Sequence, residues 1–232
     1  MQTLKSLSLI IVAAVLLLGA AWSTRAIASA ARRRAGDAPG AARTVSSATT
    51  DADLLEARSK GDPEAPVTIL EASDFQCPYC RQFWLRTLPY IETEYINTGK
   101  VRYVFLNLPL AQIHPNATAA HEFAMCAAQQ DRFWPVHDLL FLYQPAWSPL
   151  SDPGPYFRQL ADSAGLDHGR LERCIERGEV RQLIEQELQL NAQSGLRSTP
   201  SFVIEGGILP GYAPIELWRP ILDSIWEAKT EG

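Results

Sequence analysis

Residues 67–80 read VTILEASDFQCPYC. Val67, Thr68 and Ile69 open a stretch that reads as a buried strand, with loop-like Ser73-Asp74 near its end. Two cysteines three apart follow at once, with Pro78 between them where a helix tolerates proline best, at its first position. A strand that hands its chain to a helix through a dithiol confines the fold to α/β arrangements with a helix N-terminus at that strand's end.

Three chemistries compete for Cys77 and Cys80. A zinc or iron–sulfur site needs about four ligands, commonly in close pairs. The other cysteines, Cys126 and Cys174, are 48 positions apart and neither begins a second pair, so no metal is expected. A structural clip closing so short a loop constrains the unfolded chain little. Redox exchange fits the placement: with Cys77 at the N-cap, the free N–H groups of the first turn and the helix dipole favour its thiolate. Cys77 is then the expected nucleophile and Cys80, one turn in, the resolving thiol. Glu71 lies six positions before Cys77 and alternates inward with Ile69, placing a buried acid where it exchanges a proton with Cys80; the alternative is an exposed acid at the strand end.

After an expected helix over 77–95, kinked at Pro89, VRYVFLNLPL (101–110) reads as a second strand. Five helical patterns occupy 116–130, 131–143, 155–165, 167–178 and 179–195, with Gly165, Gly178 and Gly195 as stops. PSFVIEGG (200–207) is a strand running into a Gly-Gly turn, then a short return strand and a closing helix over 213–229 interrupted near Pro220. The order β-α-β, helices, β-β-α predicts one α/β domain over 62–230 with an all-helical insert at about 113–196.

The net charge of −5 conceals an asymmetry: residues 1–43 hold six basic groups and one acid, leaving −10 for the remainder, which argues against nucleic acid as a partner. Nineteen residues from Ser6 to Thr24 carry no charge. Residues 1–24 therefore read as a signal peptide or transmembrane anchor, with AIASA (26–30) offering cleavage sites, and 25–61 as a flexible linker in which DADLLEAR (51–58) is open to a short helix. Export across the cytoplasmic membrane follows from either.

Three stretches, APVTILEASDFQCPYC, CAAQQDRFWPVHDLLF and STPSFVIEGG, together resemble the DsbA-like branch of the thioredoxin superfamily, over roughly residues 62 to 228. The resemblance implies a thioredoxin-like fold with Cys77 attacking, Cys80 as its partner, Glu71 as the buried acid, and Thr199 and Pro200 facing the cysteines with Pro200 in cis. It also implies an extracytoplasmic thiol:disulfide oxidoreductase without cofactor, a monomer. Such a protein donates disulfides to exported polypeptides with free cysteines and is reoxidised by a membrane redox partner. Pro78-Tyr79 departs from the Pro-His of the best-known members, which suggests a less oxidising couple; Pro-Tyr is also a glutaredoxin dipeptide. A reductase or isomerase of the same fold, or a non-catalytic peptide-binding holdase, are the rival functions.

Similar family members carry a structural disulfide where Cys126 and Cys174 fall; two buried free thiols are the alternative. His114, His121, His137 and His168 form no ligand pattern and are expected to be structural. Asn116-Ala117-Thr118 matches a glycosylation triplet but opens a predicted helix.

Overall fold

The computed structural model describes residues 50–231. The expected leader at 1–24 and most of the expected linker, 25–49, lie outside the described residues. Among those described, no helix is long and apolar enough to cross a membrane.

The folded body begins before the expected boundary at residue 62. Helix α1 spans Asp51–Ala57, capped by Thr50, whose hydroxyl accepts from the Asp53 N–H while the Asp53 carboxylate accepts from the Thr50 N–H. Strand β1, Ser59–Lys60, pairs antiparallel with β3, Val101–Asn107. Leu54 is buried in the core, and so is Arg58, which donates to the Phe105 carbonyl at 3.1 Å and pairs with Glu187. Residues 51–60 are thus part of the body because one leucine and one arginine find buried partners there. Gly61 then turns with φ +92°, where a Cβ would collide with the Val101 carbonyl, so glycine alone fits.

Strand β2, Val67–Ser73, lies at the centre of a five-stranded sheet of order β1-β3-β2-β4-β5. It runs parallel to β3, with Ile69 opposite Tyr103 and Glu71 opposite Phe105, and antiparallel to β4, Ser201–Ile204. β4 returns through Glu205 and Gly206 into β5, Gly207–Pro210. The turn residues are Glu205 (φ 50°) and Gly206 (φ 79°) rather than the expected Gly-Gly pair, because a two-residue hairpin of this register needs left-handed backbone at both.

The expected helix over 77–95 is three pieces: α2, Pro78–Arg86; α3, Leu88–Ile91; and a π-helical turn, Glu92–Ile96. The break falls at Thr87, two residues before Pro89, whose ring excludes a continuous helix through the preceding carbonyls. The Thr87 hydroxyl donates to the Ala213 carbonyl at 3.0 Å, giving the interrupted backbone a fixed neighbour. The closing helix α10, Ile215–Thr230, runs unbroken through Pro220. Both Pro220 and Glu216, whose carbonyl loses its partner, are exposed, so water satisfies it.

The insert between β3 and β4 consists of α4 (Ala117–Ala128), α5 (Phe133–Leu142), α6 (Gln144–Trp147), α7 (Gly154–Ala164), α8 (His168–Arg177) and α9 (Arg181–Gln193). Its four-residue α6 carries no readable periodicity and was not expected. One core joins Ile69, Phe83, Tyr103, Phe202, Trp218 and Leu222 between sheet, α2 and α10. A second runs from Phe75 and Phe105 into the insert through Phe123, Phe133, Phe141 and Trp147. The cysteine pair touches this second core, so the insert forms one wall of the site.

Candidate active site

β2 and α2 meet at a turn fixed by a buried acid. Asp74 accepts from the Gln76 N–H at 2.7 Å, the Leu110 N–H at 2.8 Å and His114 Nδ1 at 2.8 Å, and the Cys77 N–H donates to its carbonyl at 3.0 Å. The same contact raises the pKa of His114 by favouring the imidazolium. Gln144, on α6, donates from Nε2 to the Phe75 carbonyl at 2.7 Å and to the Cys77 carbonyl at 2.9 Å. Gln76 is gripped from both ends, its Oε1 accepting from the Asn116 N–H and its Nε2 donating to the Ser148 carbonyl.

Cys77 stands at the N-cap of α2 with extended backbone, and Pro78 begins the helix. Its thiol is 3.3 Å from the Thr199 carbonyl oxygen. The pKa is lowered to about 6, first because the Cys80 thiol donates to the Cys77 sulfur, then through the Thr199 hydroxyl and the N–H groups of Cys80 and Tyr79, all acting against burial. No single bond caps the helix from this sulfur; several weakly aligned donors share it. Cys80 is fully buried, and burial first, then its bond to Cys77 and the charges of Cys77 and Glu71, push its thiol pKa well up. The two sulfurs thus divide into one held charged and one held neutral.

Glu71 is buried rather than exposed at the strand end. Burial raises its carboxyl to about 8, with the Ser73 hydroxyl opposing and the Cys77 charge adding to the rise. The phenol of Tyr103, on β3, donates to Glu71 Oε2. Neither Ser73 nor Tyr103 was singled out from the sequence: period-two alternation puts Ser73 on the face of Glu71, but Tyr103 depends on a parallel register that sequence does not carry.

Thr199–Pro200 is a cis peptide, and the Pro200 carbonyl accepts from the Gly211 N–H at 2.7 Å, so β5 braces the loop opposite Cys77. Tyr79, between the two cysteines, is 60% exposed, whereas Cys77 is only 4% exposed. Cys126 and Cys174 are bonded, with Cα atoms 5.8 Å apart, joining α4 to α8. His121 and His137 are buried and held neutral by desolvation, His121 at about 4. Asn116 is buried, with Nδ2 donating to the carbonyls of Ser148 and Leu150, so its amide is not presented as a glycosylation acceptor. No cluster of three or more metal-ligating side chains occurs among the described residues.

The thioredoxin family profile matches residues 55–224. The chain is 37% identical over 147 residues to Na(+)/H(+) antiporter NhaA 3 of Salinispora tropica, covering 63% of this chain and 21% of that protein. It thus spans about a fifth of the length of that curated relative. It is 23% identical over 154 residues to disulfide bond formation protein D of Bacillus subtilis, covering 66% of this chain and 69% of that one. Among solved structures, alpha-DsbA1 of Wolbachia pipientis superposes with a TM-score of 0.67 at 22% identity, over 74% of this chain and 92% of the other. That likeness fixes the fold as thioredoxin-like with an inserted helical subdomain.

Proposed function

Because this chain belongs to the thioredoxin family, we propose that it is a DsbA-like, extracytoplasmic thiol:disulfide oxidoreductase that donates the Cys77–Cys80 disulfide to exported polypeptides. In the proposed cycle a substrate thiolate attacks the Cys77 sulfur, the Cys77–Cys80 bond breaks, and a mixed disulfide forms. A second substrate thiol then displaces Cys77, leaving substrate oxidised and both enzyme sulfurs reduced. Sulfur carries the electrons throughout, so no cofactor is needed. A membrane redox partner would restore the disulfide, and residues 1–24 would take the body to the outer side of the membrane, as a retained anchor or as a signal peptide that is cleaved.

The observation that carries this reading is the placement of Cys77 at the N-cap of α2, 3.3 Å from the Thr199 carbonyl oxygen and next to a fully buried Cys80, which lowers the pKa of the first thiol and raises that of the second. A stabilised Cys77 thiolate favours the reduced enzyme, and whatever favours that state makes the disulfide a better oxidant. In this scheme Thr199 and the cis Pro200 present backbone that pairs with an extended substrate next to Cys77, and Tyr79 offers an aromatic surface at the entrance.

The deciding experiment is the equilibrium reduction potential of Cys77–Cys80 against glutathione, with the Cys126–Cys174 bond monitored separately. A value at or above about −180 mV supports an oxidase. A value near about −270 mV, in the thioredoxin range, replaces it with a reductase. Survival of function in Cys77→Ser would replace both with a peptide-binding holdase.

A further inference from the structure

Ser73 is completely buried, and its hydroxyl makes no hydrogen bond of ordinary geometry. A buried hydroxyl without a partner is a state that folded proteins seldom leave unused. It shares a face of β2 with Glu71, two residues back, and lies close enough to both the Glu71 carboxyl and the Cys80 thiol to favour the charged form of each. The hydroxyl is therefore within reach of an acid and a thiol and committed to neither. Its O–H rotates about one bond, so it can point at either group in turn. On the far side of the carboxyl, Tyr103 holds Oε2. That leaves Oε1 as the oxygen free to exchange.

We propose that Ser73 carries the proton between Glu71 and Cys80 during disulfide exchange, while Tyr103 acts as a positioning residue that keeps the Glu71 carboxyl turned for the transfer. The proposal rests on the thiol–disulfide reading of Cys77 and Cys80 and specifies how its buried half is protonated. When a substrate thiolate bonds to the Cys77 sulfur, the Cys77–Cys80 bond breaks and its electron pair leaves on Cys80. The Ser73 hydroxyl gives its proton to that thiolate and takes one from Glu71 Oε1, which becomes carboxylate. Cys80 ends as a thiol, Ser73 is unchanged, and Glu71 regains its proton from solvent. The reverse sequence deprotonates Cys80 for its attack on a mixed disulfide at Cys77.

Glu71 suits the donor role because it is still protonated near neutral pH, ionising at about 8. The titratable groups facing it are Cys77 and Cys80 from α2 and Tyr103 from β3; its antiparallel neighbour on β4 is Phe202. Cys80, Ser73 and Tyr103 are all fully buried, so the acid-to-thiol step passes through a side chain, and Glu71, 2% exposed, is the member of the set through which the proton is replaced from solvent.

The test compares wild type, Ser73→Ala, Ser73→Thr, Glu71→Gln and the Ser73→Ala/Glu71→Gln double variant in the full chain. The readout is the rate of reduction of the Cys77–Cys80 disulfide by a cysteine-containing peptide, from about pH 5 to about pH 9. Ser73→Ala should lose about tenfold or more below pH ~8 and little above it, where Glu71 has no proton to give. Ser73→Thr, which keeps a hydroxyl, should stay within about twofold of wild type, and the double variant should be no slower than Glu71→Gln alone. A wild-type rate and pH profile in Ser73→Ala overturns the relay, as do losses that multiply in the double variant. A merely structural serine would slow exchange equally at every pH, and that outcome also overturns it. A wild-type chain that exchanges no disulfide sinks the underlying reading and the relay together, whereas an active wild type with an indifferent Ser73→Ala sinks the relay alone.

Discussion

Gln144 grips Cys77 by its backbone: the amide of a glutamine in the helical insert is 2.9 Å from the carbonyl oxygen of the nucleophilic candidate 67 residues earlier in the chain. The same nitrogen holds the Phe75 carbonyl, so one side chain fixes both ends of the turn that presents the sulfur. Replacing Gln144 with Ala leaves the Phe75 carbonyl short of its donor, at a cost of about 1–3 kcal/mol where nothing replaces it, and leaves the Cys77 carbonyl with the Arg81 N–H of the helix. Urea unfolding should show that loss. The Cys77 thiolate titration should broaden or shift as the turn loosens, whereas an unchanged titration would mean that the turn is held by Asp74 alone.

Protonation of Cys77 should appear directly in the redox chemistry. Below about pH 6 reduction takes up two protons with two electrons, so the potential should fall by roughly 59 mV per pH unit; above it, with Cys77 ionised, by roughly 30 mV. Between about 6 and its unperturbed 9.0 the folded reduced protein has released a proton that the unfolded chain still holds. The stability of the reduced form therefore rises with pH across that window, and the contribution is lost as pH falls through about 6. Potential measured against glutathione as a function of pH checks this, and a single slope of roughly 59 mV through neutrality would contradict it.

Glu71 acts in the opposite sense. Its carboxyl, raised from 4.5 to about 8, binds a proton in the folded state that the unfolded chain has released between those values. The stability it contributes is complete below about pH 4.5 and is lost as pH rises through about 8. Glu71→Gln in the reduced protein should therefore gain stability relative to wild type as pH rises across that range, by an amount on the order of a few kcal/mol. Parallel unfolding curves at pH 5 and pH 8.5, compared between the two proteins, give the answer.

Arg58 and Glu187 join the first turn of the folded body to its last insert helix. Arg58 is buried, and the Glu187 carboxylate also accepts from the N–H and side-chain amide of Asn107, at 2.9 and 2.8 Å. Glu187→Ala strands a guanidinium in the interior and should cost roughly 3–5 kcal/mol. A chain begun at residue 62 should also be destabilised, since it leaves the half-buried Glu187 carboxylate without its cation.

Removing the Cys126–Cys174 bond should cost about 4 kcal/mol in the chain-entropy account, given a separation of 48 residues. The Cys126→Ala/Cys174→Ala variant should unfold at lower urea while keeping the potential of Cys77–Cys80, because the bond joins α4 to α8 and neither cysteine is among the groups that shift the two thiols. A shifted potential would show that the clip reaches the site.

From β2 onward the order of strands and helices, the four-residue α6 apart, was legible because those elements carry their own period, and Cys77-Pro78 announced a helix start by local chemistry alone. Thr199 and Pro200 were placed by resemblance, since nothing in their own neighbourhood says that they face residues more than a hundred positions away. What stayed illegible depends on register and on side chains reaching between elements. Tyr103 meets Glu71 only because β2 and β3 pair in one of several registers, and Gln144 belongs to a four-residue helix too short to show a pattern. Arg58 looked like part of a tether because a lone arginine after a short helix reveals nothing of the carboxylate waiting 129 residues on.

The separation of Cys77 from Thr199 by 122 residues also has a meaning in time. A ribosome adding about 5–20 residues per second leaves roughly 6–24 s between making the reactive sulfur and making the loop that will cover it. Cys126 and Cys174 emerge within that interval, and four unshielded thiols admit three pairings. The nascent chain is thus for a while a substrate of the kind of chemistry its finished form is built to perform, until the insert closes over the motif.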